Sequence, residues 1–291
     1  MALTATVRIA TDRVADLPET LIRRFNIQVV PVYVSLGAQT RLDDGTLDRR
    51  EFYQALRQGT ALSGTAAPSP YEFLKAYQQL VDEGAEHIIG LFTSATLSSI
   101  HNHAQFAAQL LSGGRVHIID TEQVSMGIGW LVVSAAEAIE RGASLDEVVA
   151  LVSRLRSRTQ VLGVLDSAVH LQRSGRVSWA VARFIELLQI KPLIIVEGGA
   201  VQLLGRVRTF HRALDRLLEH LTQLTPLERL AIIHTYADAP LIERLQQILE
   251  PLAPEKPIPV VEVGPVFGAH IGPGCLGVAV IGAENNRSNH G

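Results

Sequence analysis

The feature that most constrains this chain is a repeating alternation in its first half. Short β-branched runs end in polar turns, and each is followed by a helix-forming stretch. Residues 7–12 read as a strand, with Pro18 placed for the first turn of a helix over 18–25. Residues 28–36 read as a second β-branched run, in which Pro31 must sit at an edge or a bulge because it cannot donate to a ladder. Asp48 followed by Glu51, and Ser69-Pro70 followed by Glu72, have capping-box spacing and predict helices to about Gln58 and Asp82. The stretch 63–68 between them is small, polar and irregular. Residues 87–92 and 114–120 are strands, the first running into five hydroxyls within 93–99. Helices are expected over 126–141 and, after the Ser144/Glu147 cap, over 144–156. Such alternation predicts a largely parallel α/β sheet, whose ligands bind outside the carboxyl ends of the strands. Asp12, Ser94 and Asp120 stand at such ends.

The second half reads differently. Strand 160–165 is followed by helical stretches carrying 171–176 and spanning 179–188. Strand 191–196 turns through Glu197-Gly198-Gly199-Ala200 and returns over 201–208 as a hairpin. Helices over 210–224 and 240–249 alternate with strands at 230–234 and 258–263. The fold class expected is therefore α/β in two domains. A parallel-sheet N-terminal domain covers 1–159, a mixed or antiparallel α+β domain covers 160–283, and a polar tail covers 284–291. The length of 291 residues and a hydrophobic content of 47% suffice for two such cores.

Near the end, residues 263–274 gather four glycines and two prolines around His270, just before the apolar run 275–281. Glycine permits close backbone approach and proline fixes φ. The stretch reads as a stiff loop presenting one imidazole. With Thr65, Ser94 and Ser98, His270 forms a set of groups that both donate and accept, suited to a carboxylate or carboxylic acid.

Several classes are excluded or disfavoured. The charge balance, 26 basic against 29 acidic residues, lacks the footprint of a nucleic-acid binder. The single cysteine, Cys275, excludes an intrachain disulfide framework and a cysteine metal cluster. Neither a secretory signal nor a membrane-length apolar stretch is evident, so a soluble cytoplasmic protein is expected. Gly-x-Gly-x-x-Gly, P-loop, His-Glu-x-x-His and Gly-x-Ser-x-Gly patterns are absent.

The ordered spacing of Thr11-Asp12…Asp16-Leu17, Ile27-Gln28-Val29-Val30-Pro31, Thr65-x-x-Pro68-Ser69, Leu97-Ser98, Ile119-Asp120, Gly175-Arg176, Lys191-Pro192, Val207-Arg208-Thr209 and His270-x-Gly272-Pro273-Gly274 resembles the DegV family. The resemblance runs from about Val7 to Ile281. It implies two α/β domains with a long-chain fatty acid between them, acting as the lipid-binding subunit of a bacterial fatty-acid kinase. A separate ATP-dependent kinase subunit would phosphorylate the presented carboxylate toward phospholipid synthesis. The binding subunit itself would hold no cofactor, perform no chemistry and not insert stably into a membrane. On this resemblance Thr65 and Ser98 hydrogen-bond the carboxylate, His270 lies beside it near the opening, and Arg176 and Arg208 face the kinase. Ser94 joins the set from the hydroxyl cluster.

The chain departs from the family pattern at Arg13, where Ser is usual, at Ala66 and Ala67, and at Ser99 and Ile100. The last four flank the expected head-group site and bear on loop geometry and chain preference. Two enzymatic alternatives stay open from the residues. One is a hydrolase pairing a hydroxyl of Ser94 or Ser98 with His270. The other resembles the substrate subunit of dihydroxyacetone kinases, with His270 bonding a small ketone.

Overall fold

In a computed structural model of the chain, the residues described are 6–59, 62–111, 113, 115–176 and 191–284. The expected helix over 179–188 and most of the polar tail lie outside them.

The alternation of the first half builds a four-stranded parallel sheet. Its strands are β1 (Val7–Asp12), β2 (Gln28–Val30), β6 (His87–Phe92) and β7 (Val116–Asp120), in the order β2-β1-β6-β7. β6 is buried along nearly its whole length, as a parallel strand covered on both faces requires. Helices Pro70–Asp82 and Ile100–Leu110 pack on each other and on this sheet. Of the three expected caps, full capping boxes form at Ser69/Glu72 and Ser144/Glu147, while at Asp48 only the cap side chain accepts, from Glu51 N at 3.1 Å.

The run 28–36 does not stay in one sheet. Pro31 interrupts it, since proline can neither donate to a ladder nor leave φ near −65°. β2 ends at Val30, and β3 (Val32–Leu36) enters a separate antiparallel sheet with β4 (Gln39–Asp43) and β5 (Ser63–Ala66), in the order β4-β3-β5. The stretch 63–68, expected to be irregular, thus contributes a strand. Its small residues lack the β-branched signal, and pairing with β3 supplies what propensity does not.

The second half forms a six-stranded mixed sheet. It contains β8 (Thr159–Val164), β9 (Lys191–Glu197), β10 (Ala200–Val207), β11 (Leu227–His234), β12 (Val260–Glu262) and β13 (Leu276–Gly282), in the order β10-β9-β8-β13-β11-β12. All neighbours are antiparallel except β11 and β12. The β9–β10 hairpin turns where the Gly198-Gly199 pair predicts. Helix Phe210–Gln223 packs on this sheet through Leu214, Leu217 and Leu221, and its Thr209 cap accepts from Arg212 N.

One helix joins the two halves. Met126–Glu140 has 12 of its 15 residues buried, a helix apolar on all sides rather than along one stripe. It touches β1 and β6 of the parallel sheet and β8, β11 and β13 of the mixed sheet. Trp130 Nε1 donates to Ala279 O of β13 at 3.1 Å. The halves therefore share one apolar cluster that runs from Val7 to Ile281.

Candidate functional site

His270 sits on a helix, not on a loop. Pro265 occupies the first turn, where its missing N–H costs nothing, and Pro265–Ile271 is helical. Helix propensity misleads here because two glycines and a proline flank a seven-residue segment held by tertiary contacts. Gly264 N donates to Asp16 Oδ1 at 2.7 Å, and Ser125 Oγ donates to Asp16 Oδ2 at 2.6 Å. Tyr53 Oη donates to Val263 O at 2.8 Å, and Arg49 donates to Glu262 O. At the other end Gly272 takes φ +77°, and Thr235 Oγ1 donates to its carbonyl at 2.6 Å. The helix is thus fixed at both ends by buried polar groups from both halves of the chain.

This placement brings His270 Nε2 to 2.9 Å from Thr65 Oγ1 on β5. Ser63 Oγ on the same strand donates to Ala269 O at 3.0 Å, binding strand to helix. Ser98 lies just ahead of helix Ile100–Leu110, where its Oγ accepts from Ile100 N at 3.3 Å. Arg176 follows helix Val169–Arg173. Its guanidinium donates to Ser174 O at 2.6 Å and to Leu97 O at 3.5 Å.

These four side chains line one cavity between the halves. It holds about 610 Å³ of space free of atoms, counted to its solvent-facing mouth. The rest of the lining is largely aliphatic, with Val14, Val124, Ile194, Val201, Val266 and Phe267 among it. Thr93 also borders it, but its hydroxyl is committed to Asp12 at 2.9 Å. The composition is the usual one for a small-molecule site: an apolar wall with few convergent polar groups.

Burial, with Arg176 as the second cause, pushes the His270 imidazole down to about 4. The ring is neutral at pH 7 and offers one donor and one acceptor. Positive charge at the site comes from Arg176, not from histidine. Neutral imidazole, two hydroxyls and a guanidinium can together hold one carboxylate head group.

The structure separates the expected residues. Thr65, Ser98 and His270 come together. Ser94 does not join them: its buried hydroxyl donates to Gly199 O at 2.8 Å, tying the first half to the β9–β10 turn. Arg176, expected on the side that faces the kinase, lines both the cavity and the open groove outside it. Arg208 is exposed just beyond β10 and away from it. Asp12 accepts from Val14 N and Thr93 N, and Asp120 accepts from Ala95 N and Glu122 N, so both satisfy backbone at strand ends. Asp16, Ser125, Tyr53 and Thr235, which hold the His270 helix, were not expected. Their only signal in the sequence is the Asp12…Asp16 spacing, which says nothing of a contact with Gly264. Among the described residues no group of three or more His, Cys, Asp or Glu side chains can hold a metal ion, and no helix is long and apolar enough to cross a membrane.

Comparison with known proteins agrees with this architecture. The DegV family model, described as an uncharacterised protein family, matches residues 6–283. A DegV domain-containing protein of Streptomyces coelicolor is 35% identical over 281 residues, covering 94% of this chain and 98% of its own. A Thermus thermophilus DegV family protein, its structure described as showing fatty acid binding, superposes with a TM-score of 0.87 at 31% identity, covering 96% of this chain and 100% of its own. A fatty acid binding DegV family protein of Streptococcus agalactiae superposes with a TM-score of 0.85 at 26% identity, covering 97% and 100%.

Proposed function

The chain belongs to the DegV family, and from that premise we propose that it binds a long-chain fatty acid in the cavity between its halves and presents the carboxylate to a separate ATP-dependent kinase in the cytoplasm. The observation that carries this reading is the Thr65–His270 pair at the polar part of an otherwise aliphatic cavity. Thr65 and Ser98 donate to the carboxylate, His270 lies against it, and Arg176 supplies the countercharge. The relatives of Thermus and Streptococcus, described as fatty acid binding, support the same ligand class.

The energetics suit the role. Each acyl CH₂ moved from water into the aliphatic wall contributes about 0.8 kcal/mol. A buried carboxylate without partners costs several kcal/mol, which hydroxyls and a guanidinium offset. In the transfer step a carboxylate oxygen attacks the γ-phosphorus of ATP held by the partner. The new O–P bond forms as the bond to the β–γ bridging oxygen breaks, and ADP leaves with that electron pair. The head group passes from one negative charge to two. Arg208, exposed beyond β10, is suited to docking the kinase. Neither Ser94 nor Ser98 is paired with His270, whose partner is Thr65, so no specific observation favours a serine hydrolase.

Mass spectrometry of small molecules released on denaturing the purified protein is the direct test. The expected result is a fatty acid at about one per chain. A protein that emerges empty and takes up no added fatty acid contradicts the reading. Thr65→Val, which keeps the shape and removes the hydroxyl, is expected to weaken palmitate binding about tenfold, the scale of one hydrogen bond to a charged group. Titration calorimetry reads this, and unchanged affinity would place the head group elsewhere.

A further inference from the structure

A pair of histidines lies at the end of the parallel sheet away from the cavity. His87 opens β6, and His117 is the second residue of the neighbouring strand β7. In the parallel register Ile89 stands beside His117, and His87 precedes Ile89 by two residues. Side chains two apart on a strand share a face, so both imidazoles project from the same side of the sheet as diagonal neighbours. Their ring centroids are 5.6 Å apart, with the planes inclined at 50°. β6 runs from this end toward Thr93, which borders the cavity, and neither histidine lines it.

Each ring carries a nitrogen that nothing satisfies. His87 Nδ1 and His117 Nε2 are both shielded from solvent, and neither has a hydrogen-bond partner, the other ring included. A buried ring nitrogen left unpaired is unfavourable in either tautomer, as donor or as acceptor. One ion ligated by both rings satisfies both lone pairs at once. The spacing fits: two imidazoles bound at about 2.1 Å to one tetrahedral ion have centroids roughly 5.3 Å apart, against the 5.6 Å observed. Asp146, exposed in the first turn of helix Leu145–Arg156, acts electrostatically on His117. Among the described residues no third His, Cys, Asp or Glu side chain stands close enough to complete the set.

We propose that His87 and His117 bind one divalent transition-metal ion of the imidazole-preferring kind, Zn²⁺ or Cu²⁺, with water in the open positions and Asp146 accepting a hydrogen bond from that water. Imidazole donors suit these ions, whereas Mg²⁺ and Ca²⁺ take oxygen ligands. A carboxylate outside the ligand shell holds and orients what the ion binds. β7 is an edge strand, paired only with β6. The ion cross-links that edge to the interior of the sheet and, binding the folded chain alone, adds to its stability. This site is separate from the fatty-acid cavity and does not depend on that reading.

The test titrates Zn²⁺ into the full chain by calorimetry, after stripping with EDTA and dialysis, and melts the same samples with and without Zn²⁺. The expected result is one Zn²⁺ per chain and an unfolding midpoint that Zn²⁺ raises. His87→Gln and His117→Gln are each expected to abolish measurable Zn²⁺ binding and that rise. Asp146→Asn is expected to weaken Zn²⁺ about tenfold, the lower end of effects from outside the ligand shell. His211→Gln, which alters an exposed histidine on helix Phe210–Gln223, is expected to change neither readout. Pulsed electron paramagnetic resonance of a one-to-one Cu²⁺ adduct of the wild type counts its imidazole ligands without any substitution, and two are expected. Zn²⁺ binding that persists in both histidine variants is an adventitious ion only and overturns the site. So does a wild-type chain that takes up no Zn²⁺, and so does a Cu²⁺ adduct with a single imidazole.

Discussion

Ligand-free wild-type protein is expected to lose roughly 3 kcal/mol of stability relative to His270→Gln as the pH falls from 7 to 4. His270 is held down to about 4 from 6.5, chiefly by burial and then by the Arg176 charge. Between those two values the unfolded chain binds a proton at this position and the folded chain does not. Stability therefore rises with pH through the window and is fully present above 6.5. Two and a half pKa units at about 1.4 kcal/mol each give about 3.5 kcal/mol in full, of which roughly 3 falls between pH 7 and 4, since near pH 4 the folded imidazole is itself half protonated. The glutamine side chain of the variant has nothing to titrate, so its stability lacks that slope. Asp12 and Asp16 act in the opposite sense, since burial raises each to about 6. The folded chain takes up their protons first, so those two groups add stability as the pH falls from 6 toward 4. Both are present in wild type and variant, and neither is among the causes that shift His270, so they cancel in the difference. Urea unfolding of the two proteins at several pH values measures it. Parallel curves would mean that His270 is protonated and solvated at about pH 5, and the neutral-imidazole account of the site would fail.

The residues of the candidate site were more legible in the sequence than the contacts that position them. Thr65, Ser98 and His270 could be named because hydroxyls and an imidazole stand out in aliphatic surroundings, and their ordered spacing resembles a known family. Strand–helix alternation gave the parallel sheet, and the Gly198-Gly199 turn gave the β9–β10 hairpin. What failed was local propensity where tertiary contacts decide. The His270 segment contains enough glycine and proline to read as a loop, yet it is a helix because Asp16 and Thr235 grip its two ends. β5 has no β-branched run, yet it is a strand because β3 pairs with it. Ser94 belongs to the same hydroxyl cluster as Ser98, and only the long-range bond to Gly199 separates their roles. Arg176 could not be placed inside the cavity because its position depends on where helix Val169–Arg173 meets the His270 helix. Each of these facts is a contact between distant parts of the chain, and a one-dimensional pattern does not carry it.

The same dependence makes Gly268→Ala a damaging single methyl for this site. A Cβ at Gly268 would stand 2.2 Å from Tyr53 Oη and 2.7 Å from two of its ring carbons. Tyr53 has no room to retreat. It is fully buried, sits edge-on to Phe52 at 5.5 Å, and its hydroxyl is committed to Val263 O. The helix must therefore move instead, and His270, two residues further along, moves with it away from Thr65. The expected loss is about 3 kcal/mol of stability, the upper range for an extra methyl in a packed core. A fall in fatty-acid affinity larger than that of Thr65→Val should accompany it, since the head-group pair is displaced rather than trimmed. A double-mutant cycle with Tyr53→Phe isolates the cause. Alone, Tyr53→Phe removes one buried hydrogen bond, about 1 kcal/mol. In its presence the closest atom facing the new methyl is gone, so Gly268→Ala should do less harm to stability and to binding. Strict additivity of the two substitutions would show that the methyl acts elsewhere than on Tyr53. Coupling of the sign described would mean that a tyrosine from the first half of the chain sets the position of the imidazole from the second.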